Sequence, residues 1–86
     1  MREAVVADRK ATGAEVRAHA TAIRRLAHEL GLAPPRMRDD GTVVIHSSEP
    51  GYQTANRISA AASSVVGAYV HVITDDVPGA VSARNL

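Results

Sequence analysis

The sequence predicts a small α/β protein, and three observations predict it. Residues 41–76 read as strand, loop, amphipathic helix and strand, a unit whose strands ordinarily run parallel. Thr12-Gly13-Ala14-Glu15 has the spacing of a helix-opening capping box, and a glycine followed by a proline pair closes that helix. The chain is 86 residues long, which suits one domain with a modest core. The expected architecture is therefore a single domain over 1–86, an N-terminal helix followed by a βαβ unit of two or three strands, completed by self-association. Residues 1–11 and 77–86 are expected as irregular tails.

The elements follow in order. Ala4-Val5-Val6-Ala7 reads equally as a short buried strand or as the first turns of a helix, because four residues carry too little periodicity to separate them. From Thr12, the apolar residues Val16, Ala20, Ile23, Ala27 and Leu30 recur at spacings of three and four, one stripe of a helix over 13–30 that Leu26 widens. Gly31 stands where a left-handed cap belongs, and Pro34-Pro35 block continuation. Residues 33–41 read as a loop ending in the turn signal Asp39-Asp40-Gly41.

A strand follows over 42–46, with Val43-Val44-Ile45 apolar on both faces, as in the middle of a sheet. The second helix runs over 51–66 on the stripe Ala55, Ile58, Ala62 and Val65, with Ser63 and Ser64 placed mostly off it. Gly67 ends it, and residues 68–74 alternate as a strand. Two parallel strands do not stand alone. Either residues 4–7 add a third strand or two copies pair to complete the sheet.

Composition limits the classes of function. There is no cysteine, which excludes disulfides, thiolate metal sites and cysteine chemistry. No apolar run approaches the ~18 residues of a membrane span, and Met1-Arg2-Glu3-Ala4-Val5-Val6 opens no signal-peptide core. The reading is a soluble, cytoplasmic protein with no membrane partner. The net charge of +1 supplies no global attraction for nucleic acid. Alanine and valine dominate the apolar content, and Tyr52 and Tyr69 are the only aromatic residues, so the core buries little area per side chain.

Four sets of residues carry candidate chemistry. Ser47, Ser48, Gly51 and Tyr52 connect a strand to a helix N-terminus, where exposed N–H groups and hydroxyls could hold a phosphate or carboxylate. Neither nucleotide fingerprint is present there, Glu49 repels an anion, and Ser48 with Pro50 also suits plain helix capping. The histidines His19, His28, His46 and His71 lack the four-residue spacing of a helical metal pair, and no metal or cofactor is expected. Ser47 and Ser48 lack the G-x-S-x-G context of a nucleophile, so no catalytic residue is expected.

The last set is apolar. Val16, Ile23, Leu26 and Leu30 form a helix face that fits either the core or a second copy, and Tyr52 and Tyr69 are candidate interface anchors.

The segment Leu26-Ala27-His28-Glu29-Leu30-Gly31-Leu32-Ala33-Pro34-Pro35-Arg36-Met37-Arg38 resembles the first helix, glycine turn and opening of the recognition helix in helix-turn-helix DNA-binding proteins. Leu26, Ala27, Leu30, Leu32 and Met37 fall where that family keeps packing residues. The resemblance implies that Arg36 and Arg38 face DNA, with Arg24 and Arg25 in support. Asp39-Asp40-Gly41 ends the would-be recognition helix after about one and a half turns, and its carboxylates repel phosphates.

The function expected from these residues is a non-enzymatic interaction or assembly protein, of the kind found among regulators and phage or mobile-element components. It would act as a homo-oligomer or by docking on a larger protein. The alternatives are an anion-binding or nucleotide-type ligand module using residues 47–52, and a DNA-binding regulator using residues 24–38.

Overall fold

A computed structural model describes residues 9–46, 53–76 and 83–86. Thr12 opens the helical part as its spacing predicts. Its hydroxyl accepts the Glu15 N–H at 3.1 Å, and the Glu15 carboxylate accepts the Thr12 N–H at 2.9 Å. The Arg9 guanidinium grips the same carboxylate through both terminal nitrogens, at 2.7 and 2.8 Å. Hydrogen bonding from Arg9, then from the Thr12 N–H, holds the Glu15 carboxyl down to about 2, against an ordinary 4.5.

The continuous helix expected over 13–30 is instead two helices, α1 (Gly13–Ala18) and α2 (Ala20–Glu29). The break is at His19, whose backbone leaves the helical region at φ −110° and ψ 22°. Its Nδ1–H donates to the Glu15 carbonyl at 3.0 Å. The imidazole thereby takes the acceptor that an unbroken helix would give to the His19 N–H. At the far end the expected cap is present. Gly31 has φ +76°, the Leu32 N–H reaches the Ala27 carbonyl at 2.9 Å, and the Gly31 N–H reaches the His28 carbonyl at 2.9 Å. This is the Schellman pattern of a helix end.

The segment expected as loop over 33–41 contains a strand, β1 (Arg36–Met37), which forms a hairpin with β2 (Val43–Ile45). The turn closes through the Gly41 N–H and the Arg38 carbonyl at 3.0 Å, and the Arg38 N–H bonds the Thr42 carbonyl at 2.8 Å. Gly41 has φ +90°, the left-handed residue that such three-residue loops place last. A Cβ there would stand 2.9 Å from the Ala11 carbonyl oxygen, so the hairpin loop packs directly against the start of α1. Asp40 secures the turn by accepting the Thr42 N–H at 3.0 Å, which is the main cause of its lowered pKa.

The remaining elements are α3 (Gln53–Val66), β3 (Val72–Thr74) and β4 (Arg84–Asn85). The sheet is four-stranded in the order β3-β2-β1-β4, with β2 and β3 parallel and the other pairs antiparallel. Two strands more than the βαβ unit thus come from the chain's own residues, one of them in the stretch 77–86 expected to be irregular. The four-stranded sheet is thus built within one chain. Residues 4–7, the other candidate for an added strand, lie outside the described residues. The strand expected over 68–74 is shorter. Its start forms a parallel bridge between Tyr69 and Lys10, with the Ala11 N–H on the Tyr69 carbonyl at 2.7 Å.

The helices share one face of the sheet. Val16, Ile23, Ala55, Ile58 and Ala62 pack on Met37, Val43, Ile45, Val70 and Val72. Pleating turns Val44 and Ile73, which are paired in register, to the opposite face. Among the described residues, no helix is long and apolar enough to cross a membrane.

Candidate functional site

Sheet order leaves β3 at one end, and the parallel pairing with β2 fixes which backbone groups it presents. The Val43 N–H bonds the His71 carbonyl at 2.8 Å, and the Asp75 N–H bonds the Ile45 carbonyl at 2.9 Å. Odd-numbered residues of this strand therefore turn their backbone groups toward β2, and even-numbered residues turn theirs outward.

Val70, the first outward residue, is closed by α3. The Ser59 hydroxyl donates to the Val70 carbonyl at 2.6 Å, and the Val70 N–H donates to Ser63 Oγ at 2.8 Å. Serines four apart share a helix face, so one turn of α3 supplies both the donor and the acceptor that a neighbouring strand would offer. Among the described residues, Val72 and Thr74, the next outward residues, receive no such closure and no further strand pairs with this edge.

A cavity of about 190 Å³ lies along that edge, lined by Ala55, Asn56 and Ser59 of α3 and by Tyr69, His71 and residues 72–74. Pockets for ordinary small-molecule ligands run to roughly 300–1,000 Å³, so this one is too small to bury such a ligand. Its lining is mainly apolar. The Tyr69 hydroxyl and His71 Nδ1 share a hydrogen bond at 3.0 Å, which fixes both rings at the mouth. Across the strand end, His46 Nδ1–H donates to Asp75 Oδ2 at 2.8 Å, joining the ends of β2 and β3.

The residues singled out from sequence fall in different places. Val16 and Ile23, expected as contact residues, are fully buried in the core and offer nothing to a partner. Leu26 is half-buried against the same core, while Leu30 and Tyr69 are each 38% exposed. Among the described residues of the interface set, Tyr69 alone lines the cavity. Ser47, Ser48, Gly51 and Tyr52 lie outside the described residues.

The helix-turn-helix resemblance does not extend to the fold, because Arg36 is in a strand where a recognition helix would be needed. Arg24 is engaged with the Leu86 carbonyl at 3.2 Å and Thr21 Oγ1 at 3.3 Å, whereas Arg25 is exposed and Arg38 flanks the hairpin turn. Among the described residues, no group of three or more His, Asp or Glu side chains could hold a metal ion.

Sequence reading missed Asn56, Ser59, Ser63, Val72 and Thr74. The helical period places Ser63 off the buried stripe, yet it is only 7% exposed, turned inward by the Val70 N–H it accepts. The Ser59–Ser63 spacing was the available signal, although two serines at helical spacing ordinarily mark a solvated face. No family model, curated protein or solved structure matches the chain.

Proposed function

We propose that this chain is a non-enzymatic interaction protein that receives an extended strand of another polypeptide along the outer edge of β3. One observation carries the reading. Two α3 hydroxyls satisfy the edge at Val70, and among the described residues nothing pairs with the same edge at Val72 and Thr74, which runs beside an apolar groove. Strand addition draws affinity from backbone hydrogen bonds and specificity from pockets for alternate side chains, and the outward groups of Val72 and Thr74 with the adjoining groove suit both roles.

Proteins commonly blunt an exposed edge with lysine, proline or a bulge. Residues 70–74, Val-His-Val-Ile-Thr, contain neither lysine nor proline. That composition supports an edge kept for pairing.

The test uses Thr74→Pro. Proline deletes the outward Thr74 N–H and leaves the β2–β3 ladder, which runs through His71, Ile73 and Asp75, untouched. Selection from a random heptapeptide library should enrich alternating apolar sequences on the wild-type protein and none on the folded variant. Absence of enrichment on wild-type protein that light scattering finds monomeric, or equal enrichment on both proteins, would overturn the reading.

A further inference from the structure

Resting on that reading, we infer that the strand received is β3 of a second copy, paired antiparallel about a two-fold axis through Ile73. The inference starts from the backbone. An isologous pairing of one edge with itself must be antiparallel, and each of its hydrogen-bonded pairs must join two outward-facing residues. Val72 and Thr74 are those residues. Centring the axis on Ile73 sets Val72 opposite Thr74 of the second copy, and Thr74 opposite its Val72. Each pair exchanges two bonds, four in all. Ile73 then meets its own counterpart at a non-hydrogen-bonded position, where side chains approach most closely.

The Ser59–Ser63 clamp on Val70 limits the pairing on one side, and the turn at Asp75 and Asp76 limits it on the other. The ladder this register needs is therefore the ladder available.

Side chains agree with the same register. On the face away from the helices, His71 lies opposite Asp75 of the second copy. Asp75 uses Oδ2 to hold His46, and His71 uses Nδ1 to hold Tyr69, which leaves Oδ1 and Nε2 to meet. Two such pairs form, related by the axis, and they flank the apolar contact of Ile73 with itself. On the helix face, Val72 and Thr74 of the second copy extend the wall of the cavity beside Ala55 and Asn56. The net charge of +1 sets little repulsion against association of two copies.

An arbitrary strand could supply the backbone bonds. A second copy supplies in addition the β-branched pair on the helix face and an acid opposite each His71.

The chain's lack of cysteine makes the test sharp. Counterparts at a non-hydrogen-bonded position stand about 4.5 Å apart between Cα atoms, within the range of a disulfide. Ile73→Cys should therefore oxidise to a covalent dimer, while Leu30→Cys at the exposed C-cap of α2 should give no covalent dimer under the same conditions. Light scattering of the unsubstituted protein provides the second measurement, with a dimer expected for wild type and a monomer for Thr74→Pro. A wild-type dimer without the cross-link at position 73 would overturn the register and the face. A wild-type monomer that still selects peptides through β3 would overturn the second copy as occupant and leave the interaction reading standing. A monomer that selects nothing would remove both.

Discussion

Ser59 and Val70 are joined at 2.6 Å by a hydroxyl-to-carbonyl hydrogen bond, and this contact marks where the outer edge of β3 begins to be available. N-terminal to it, α3 serves as the neighbouring strand. Beyond it, the edge is flanked by a groove.

Ser63→Ala strands the Val70 N–H, which is fully buried, without an acceptor. An unsatisfied buried donor costs about 1–3 kcal/mol. Urea unfolding should show that loss. A change below about 0.5 kcal/mol would mean that solvent or another group replaces the serine.

The core and the surface of the first helical stretch should respond differently to truncation. Ile23→Ala removes a fully buried side chain that packs between α2 and the sheet and should lower stability by about 2–5 kcal/mol. Leu30→Ala, at a residue 38% exposed, should change stability by less than about 0.5 kcal/mol. Chemical denaturation of the two variants checks the contrast.

Glu15 sets an acid limb on stability. Its folded carboxyl lies at about 2 against an ordinary 4.5, held there chiefly by Arg9. A depressed folded value means that the unfolded chain takes up the proton first. The contribution is therefore complete above pH 4.5 and is lost as pH falls toward 2. Asp40, also lowered, acts in the same direction. Glu15→Gln should flatten the fall of Tm over that window relative to wild type, as scanning calorimetry from pH 6 to about 2 would show.

Two glycines should separate close packing from backbone conformation. Gly41 has φ +90° with the Ala11 carbonyl 2.9 Å from any added Cβ, while Gly31 has φ +76° with nothing within 4 Å. Gly31→Ala meets only the strain of a left-handed residue, about 1–3 kcal/mol. Gly41→Ala adds a collision with backbone and should be the more destabilising in a thermal melt.

Local chemistry explains which parts of the fold were legible. The Thr12–Glu15 box and the Gly31 cap are complete within a few residues, so their spacing sufficed. The break at His19 was hidden because its cause, an imidazole taking the Glu15 carbonyl, leaves the apolar period intact. β1 is two residues long and follows two prolines, yet Asp39-Asp40-Gly41 between Met37 and Val43 was a hairpin signal as much as a loop signal. The outer edge of β3 was least legible. It depends on which side of β3 lacks a neighbour among the described residues and on two serines finding Val70, and both are tertiary facts.

The most direct measurement is amide hydrogen exchange, residue by residue, across a dilution series of the wild-type protein. Pairing through β3 predicts that the Val72 and Thr74 amides gain protection as concentration rises, while the Ile73 amide, turned toward β2, stays protected throughout. Exchange at Val72 and Thr74 that does not change with concentration would contradict pairing of two copies through this edge.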